Sequence, residues 1–190
     1  MSVTPATAAS HAAGADISRA TIEAAATRIA PFIIETPLIE SPRLNDKLGI
    51  RLLVKAECLQ HTGSFKLRGA SNAVWSLDDT VKHVVAFSSG NHAQGVARAA
   101  ASRGLQATIV MPKDSPAGKI EGTKAYGGTV ILYDRYTETR EEIGADLATR
   151  KQAHMIKPFD DFRVIAGQGT VGLEIATQAA AKNLTPDAII

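Results

Sequence analysis

The sequence holds a single cysteine, Cys58, and several other features are missing from it. One cysteine excludes an intrachain disulfide and a cysteine-based zinc site, and the histidines show no metal-ligand spacing, so no metal is expected. No apolar run reaches the ~20 residues that a membrane-spanning helix needs. Lysine and arginine form no cluster, and the net charge is only +2. Neither nucleic acid nor a membrane is therefore expected as a partner, and we predict a cytoplasmic location.

The N-terminal segment, residues 1–15, is rich in alanine, serine and threonine. It lacks a basic start followed by a long apolar core, so it does not resemble a signal peptide. We predict a flexible tail there. The whole chain is 45% hydrophobic, which is sufficient for a folded core, and it shows no internal repeat.

Beyond the tail, short apolar segments typical of strands alternate with segments of helical periodicity. Strands are predicted at residues 50–57, 84–87, 107–111, 129–133 and 154–156, with a last one beginning at 188–190. Helices are predicted to begin at Asp16 or Ser18, Ser41, Ser64, Asn91, Ser115, Thr137 and Gly167. This alternation predicts an α/β fold with mostly parallel sheets covered on both faces. Ligands of such folds bind in the turns at the carboxyl ends of strands.

The first turn of interest precedes Lys66, within the segment 62–70. Gly63 would allow a tight turn, and Ser64 is a good N-cap. Lys66 would then lie in the first helical turn, where the helix dipole disfavours an ammonium group. That position favours a neutral amine able to form a Schiff base. The alternative is an ordinary solvated lysine near a helix start.

The second turn, residues 88–92, has the sequence Ser-Ser-Gly-Asn-His and lies between an apolar strand and a helix. Gly90 would let a ligand approach the backbone, and free N–H groups at the helix start attract anions. Ser89 and Asn91 could orient a polar ring or a substrate. The alternative is an ordinary polar turn in which Ser88 or Ser89 caps the helix. The spacing of Gly90 and Gly95 matches neither a dinucleotide fingerprint nor a Walker loop.

Four motifs together resemble the threonine/serine dehydratases, which belong to the pyridoxal-phosphate enzymes of fold type II and have serine racemases as close relatives. The motifs are residues 64–70, 88–95, 158–161 and 165–170. The resemblance covers residues 17–190 and implies two three-layer α/β/α domains. Residues 82–156 would form the small domain, and residues 16–81 and 157–190 an incomplete large cofactor domain.

The resemblance also implies roles by position. Lys66 matches the lysine that forms the Schiff base with pyridoxal 5'-phosphate, and Phe65 the residue that packs beside the ring. Asn91 matches the asparagine that binds the phenolic oxygen of the cofactor. The whole turn, Ser88, Ser89, Gly90, Asn91 and His92, matches the loop that holds the substrate carboxylate. Ser89 also matches the second acid/base of racemases.

The activity implied by the resemblance is elimination of water and ammonia from L-threonine or L-serine, small amino-acid substrates. A serine racemase and a 3-hydroxyaspartate ammonia-lyase are the alternatives, and a non-catalytic fragment is an alternative of another class. Phe159 lies where animal serine racemases carry asparagine, which favours the dehydratase.

The resemblance further implies that the chain is the N-terminal part of an enzyme that is a homo-oligomer at full length. In the family, the strand matching residues 188–190 leads into a glycine-rich loop around the cofactor phosphate. An isolated 190-residue chain is therefore expected to hold the cofactor poorly and to turn over little. Gly167 and Gly169 are predicted to allow close packing near the site.

Overall fold

The computed structural model describes residues 17–190, so the predicted tail and Asp16 lie outside the described residues. The helices in this range are α1 Arg19–Ile29, α2 Pro42–Leu48, α3 Lys66–Trp75, α4 Asn91–Ser102, α5 Ala117–Ala125, α6 Arg140–Arg150 and α7 Phe162–Ala181. The strands are β1 Leu38–Glu40, β2 Leu53–Lys55, β3 His83–Phe87, β4 Gln106–Pro112, β5 Thr129–Tyr133 and β6 His154–Met155. Short 3₁₀ turns follow α1 at Ala30–Phe32 and β2 at Glu57–Leu59.

A four-stranded parallel sheet in the order β5-β4-β3-β6 forms the centre of the fold. Both faces of β3 and β4 are buried. Val84 and Ile109 pack toward a cluster that contains α3 and α4, while Val85 and Val110 pack toward α6. The predicted parallel α/β fold is therefore confirmed. The sheet uses only residues from 83 to 155, and the division into two domains stays a prediction.

The other two strands, β1 and β2, pair antiparallel, with Leu38 opposite Lys55. The predicted strand at 50–57 is thus shorter than expected, and this part of the fold departs from a parallel arrangement. Helix α2 reverses the chain between the two strands. Its ends agree with the sequence, because Ser41 caps it and Gly49 closes it at φ +67°.

The observed starts of the helices agree with the predicted ones where the predicted residue itself caps the helix. Ser18 caps α1 through a capping box with Thr21. The start of α6 was predicted at Thr137 but follows Thr139. Asp134 and Glu138 explain the difference, because the backbone N–H of Asp134 donates to Glu138 Oε2 at 2.6 Å and closes residues 134–138 into a turn.

The C-terminal region corrects two further predictions. Helix α7 begins earlier than predicted, because Asp161 caps it. Residues 167–170, which were expected to lead into this helix, lie inside it. Their predicted packing role is confirmed, since a Cβ on Gly167 would lie 2.6 Å from the Arg68 carbonyl oxygen, and one on Gly169 2.9 Å from Ile22 Cδ1. Residues 188–190, predicted to begin a strand, form none and join neither of the two sheets found in residues 17–190. Within residues 17–190, no helix combines the length and apolarity needed to cross a bilayer.

Candidate active site

Lys66 is the first residue of α3, as predicted, but the cap differs from the prediction. Phe65 occupies the N-cap position in a helical conformation, without a side-chain hydrogen bond. The turn has therefore already begun at residues 64–65, and the hydroxyl of Ser64 is buried without a partner among the described residues. Gly63 has φ +71°, which confirms its predicted use in a tight turn.

The amine of Lys66 lies against the ring of Phe65. Nζ is 5.1 Å from the ring centroid, within the range of a cation–π contact. Lys66 is half-buried, and Phe65 is 37% exposed. The predicted Schiff-base lysine and the predicted ring-packing residue therefore share one accessible surface.

The second turn leads into α4, with Gly90 as its N-cap and no side-chain cap bond. Neither Ser88 nor Ser89 therefore caps this helix. The Ser88 hydroxyl instead accepts from the Gly90 N–H at 3.3 Å, and the Ser88 N–H donates to the Val110 carbonyl at 3.1 Å. Space around Gly90 is open, since a Cβ there would meet no atom within 4 Å. The first N–H groups of α4 are thus available to an anion.

The structure brings the two turns together through Gly95. A Cβ at this position would lie 3.2 Å from the Lys66 carbonyl oxygen and 3.3 Å from Leu67 Cα. Helix α4 therefore packs with its backbone on the first turn of α3. Since Asn91 lies one helical turn before Gly95, the 88–92 turn lies close to the Lys66 turn, and we treat the two turns together as one candidate site.

His92 is 3% exposed and points into the protein. Its Nε2 lies 3.5 Å from the carbonyl oxygen of Ile156, and its Nδ1 has no partner among the described residues. Burial, with a smaller contribution from the charge of Lys66, lowers the pKa of His92 to about 4 and outweighs the opposing effect of the hydrogen bond with the Ile156 carbonyl. The imidazole is therefore neutral at neutral pH and supplies no positive charge to the 88–92 turn.

Ser89 and Asn91 are both exposed on the turn. The side-chain oxygen of Asn91 accepts a hydrogen bond from Lys119 Nζ at 2.5 Å. Lys119 was missed by the sequence analysis. It lies 28 residues away on α5, and no local pattern connects the two positions.

A second group missed by the sequence analysis begins two residues after Lys66 in α3. Arg68 is 0% exposed and binds two carboxylates, Glu57 at 2.8 Å and Glu174 at 2.6 Å. Lys55 completes the network by binding Glu174 at 2.6 Å. Burial opposes the charge of Arg68, but its hydrogen bonds with Glu57 and Glu174 outweigh this effect and raise its pKa. The network links α3 to β2 and α7.

The residues present fit the cofactor that the resemblance implies. An accessible amine lies beside an aromatic ring, and an amide and an uncapped helix N-terminus follow on the adjacent turn. Pyridoxal phosphate carries an aldehyde, which reacts with an amine, and anionic oxygens, which accept hydrogen bonds from an amide and from free N–H groups. Among residues 17–190, no group of three or more His, Cys, Asp or Glu side chains could hold a metal ion.

Comparison with known proteins agrees with this arrangement. The chain is 48% identical over 153 residues to the L-threo-3-hydroxyaspartate ammonia-lyase of Saccharomyces cerevisiae, covering 80% of this chain and 47% of that protein. It is 44% identical over 168 residues to the serine racemase of Oryza sativa subsp. indica, covering 87% and 49%. The crystal structure of the T.th. threonine deaminase superposes with a TM-score of 0.84 at 47% identity, covering 90% of this chain and 54% of that one.

The chain spans about half the length of the curated relatives it matches. The structural neighbours are fold type II enzymes, which confirms the predicted fold class. The family model of pyridoxal-phosphate dependent enzymes matches residues 29–190. This chain therefore belongs to the family of pyridoxal-phosphate-dependent enzymes.

Proposed function

We propose that this protein is a pyridoxal-phosphate-dependent ammonia-lyase that converts a β-hydroxy amino acid to a 2-oxoacid and ammonia, with L-threonine or L-serine as substrate. The close approach of Gly95 to the backbone of Lys66 is the observation that carries the proposal, because it supports a site shared by Lys66 and the 88–92 turn. The relatives support the reaction class, since they include an ammonia-lyase and a threonine deaminase.

Lys66 would hold the cofactor, with Phe65 packing beside it and Asn91 binding a ring oxygen. When bound, the pyridoxal ring supplies an electron sink for the negative charge that develops at the substrate Cα. Lys66 contacts the ring of Phe65, and all three side chains are at least partly exposed, which supports these roles.

The substrate's carboxylate would bind to the first N–H groups of α4, where the helix dipole favours negative charge. Gly90 leaves room for it, since nothing lies within 4 Å of its Cβ position. Held there, the Cα proton faces the amine of Lys66, which removes it at Nζ as general base. The β-hydroxyl leaves as water, and one water is taken up again when ammonia is released, so the reaction balances.

Racemisation of serine is the second candidate, favoured by the 44% identity to a serine racemase. It would need an acid/base group on the opposite face of the substrate. Ser89 is exposed on the turn and could serve there. The same serine is compatible with the lyase, so the products decide between the two.

The test uses the protein expressed from its complete open reading frame and loaded with pyridoxal phosphate. We expect 2-oxoacid and ammonia from L-threonine or L-serine, and a visible absorption band that disappears in Lys66→Ala together with the activity. Lys124→Ala is the matched control, since Lys124 is exposed and paired with Glu121. Turnover that survives in Lys66→Ala would contradict the proposal, and D-serine as the main product would favour the racemase.

A further inference from the structure

The segment that carries Lys66 is closed at its two ends by one ion pair. Glu57 lies in the 3₁₀ turn after β2, and Arg68 lies in the first turn of α3. Nη2 of Arg68 donates to Oε1 of Glu57 at 2.8 Å, and its Nε donates to Oε2 at 2.9 Å. Two parallel bonds of this kind fix the direction of both side chains as well as their distance. Residues 58–67 are therefore held between two bonded ends.

The Glu57–Arg68 pair is charged and lies away from bulk water. Arg68 is fully buried and Glu57 is half-buried. Burial alone would raise the pKa of Glu57, but the hydrogen bonds from Arg68 and Thr36 lower it below its ordinary value. Glu57 is therefore a carboxylate at neutral pH, and its bonds with Arg68 are charge-assisted, which makes them stronger than bonds between neutral groups.

A second set of bonds attaches the same segment to the backbone of Ile34. The side-chain oxygen of Gln60 accepts from the Ile34 N–H at 2.9 Å, and its Nε2 donates to the Ile34 carbonyl at 2.8 Å. Nη2 of Arg68 donates to the same carbonyl at 3.3 Å. Gln60 is 3% exposed, so these bonds too are shielded from solvent. The two ends of the segment thus meet at one backbone group.

Fewer bonds hold the middle of the segment. The hydroxyls of Thr62 and Ser64 are buried without a partner among the described residues. The carbonyl of His61 accepts from the hydroxyl of Tyr126 at 2.7 Å. The path of the chain into α3 therefore depends mainly on the bonds at the two ends of the segment.

We propose that Glu57 is a positioning residue for Lys66 and acts through Arg68. Packing of Gly95 holds the first turn of α3 from the side of α4, and the Glu57–Arg68 pair holds the segment that enters the helix. The pair thereby sets how the turn presents the amine of Lys66 and the neighbouring ring of Phe65. The inference rests on the proposed function, which gives these two side chains their roles. A misplacement of about 1 Å can cost a catalytic group about 100-fold in rate.

The first experiment compares two glutamine variants of the protein expressed from its complete open reading frame and loaded with pyridoxal phosphate. Glu57→Gln and Glu174→Gln each remove one carboxylate from Arg68. Glu174 lies on α7, outside the segment, and it also pairs with Lys55, so its loss should destabilise the fold at least as much. Glu174→Gln is therefore the matched control for stability.

We expect Glu57→Gln to lower kcat for L-threonine or L-serine by about 10- to 100-fold and to change KM by less than about threefold, because the residue touches neither cofactor nor substrate. Glu174→Gln should leave both constants within about threefold. Glu57→Asp keeps the carboxylate but shortens its reach to Arg68, so its kcat should lie between those of Glu57→Gln and the wild type.

A second experiment needs no turnover. Hydrogen exchange is measured on the same proteins without substrate. In Glu57→Gln, the backbone amides of residues 61–66 should exchange about tenfold faster or more, the effect of losing one charged hydrogen bond, while those of α4 keep the wild-type rate. In Glu174→Gln, residues 61–66 should exchange at the wild-type rate.

The outcomes separate the two proposals. Wild-type protein that acts on no β-hydroxy amino acid defeats both, because there is then no catalytic amine to position. Active wild-type protein in which Glu174→Gln loses as much kcat as Glu57→Gln defeats only the inference, because the ion pairs would then act through stability alone. Wild-type exchange of residues 61–66 in Glu57→Gln also overturns it.

Discussion

Gly167 of α7 lies directly on Gly69 of α3. A Cβ built at Gly167 would be 2.8 Å from Gly69 Cα, and one built at Gly69 would be 2.7 Å from the carbonyl oxygen of Val164. The two helices thus cross with their backbones in contact, which only residues without a side chain permit. Because α3 begins at Lys66, this crossing helps to fix the backbone that carries the candidate catalytic lysine relative to α7.

Gly167→Ala should destabilise the protein by about 1–3 kcal/mol, because the added methyl group would overlap the backbone of Arg68 at 2.6 Å and Asn72 Cβ at 2.7 Å. Chemical denaturation at pH 7 measures the loss. Gly172 on the same helix is the matched control, since nothing lies within 4 Å of its Cβ position. Gly172→Ala should be neutral or stabilise by up to about 1 kcal/mol. Equal effects of the two substitutions would disprove the role of the crossing.

The sequence predicted the elements whose signals are local. Ser18 and Gly49 mark the beginning of one helix and the end of another, and the apolar segments 84–87 and 129–133 lie within or on the observed strands. Prediction failed where the backbone began a helix at a different residue from the one that the local signal indicates, as at the start of α3. Ser64 is a good N-cap residue in general, but Phe65 takes the cap position and leaves the Ser64 hydroxyl unpaired among the described residues.

For the candidate site, both turns could be located from the sequence, because each glycine-containing turn leads into a helix. Lys119 and Arg68 could not be assigned a role. Arg68 binds Glu174 across 106 residues, and Lys119 reaches Asn91 across 28, so only tertiary packing brings these partners together. Hydrophobic periodicity says nothing about such polar pairs, since it reports only which face of an element is buried.

Arg68→Met should cost about 3–5 kcal/mol, because it leaves the half-buried carboxylate of Glu57 without its cation and Glu174 with Lys55 alone. The free energy of unfolding at pH 7 is the measurement. The free energy of unfolding of Arg68→Lys should lie between those of Arg68→Met and the wild type, since lysine keeps the charge but not the forked geometry of the guanidinium. Arg19→Met is the control, because the Arg19–Glu23 pair is exposed, and we expect no measurable change. A loss as small as that of the control would show that the network is not needed for stability.

Acid should destabilise the protein through His92. Burial lowers its pKa from 6.5 to about 4. Between pH 4 and pH 6.5, His92 therefore binds a proton in the unfolded chain but not in the folded protein. The unfolded state binds more protons in this window, and stability therefore rises with pH from about 4 to 6.5 and is constant above it as far as His92 is concerned. The contribution that is lost on acidification is about 3 kcal/mol.

The measurement is the free energy of unfolding at several pH values between 4 and 7 for the wild type and for His92→Gln. The glutamine cannot titrate, and its amide can still donate to the Ile156 carbonyl that His92 Nε2 faces. Asp161, whose charge acts on His92, is present in both proteins, and its own titration cancels in the difference. We expect the difference between the two curves to change by about 3 kcal/mol from pH 7 to pH 4. Parallel curves would mean that the imidazole accepts a proton in the folded state as readily as in the unfolded chain, and the orphaned Nδ1 would then have to be reached by water.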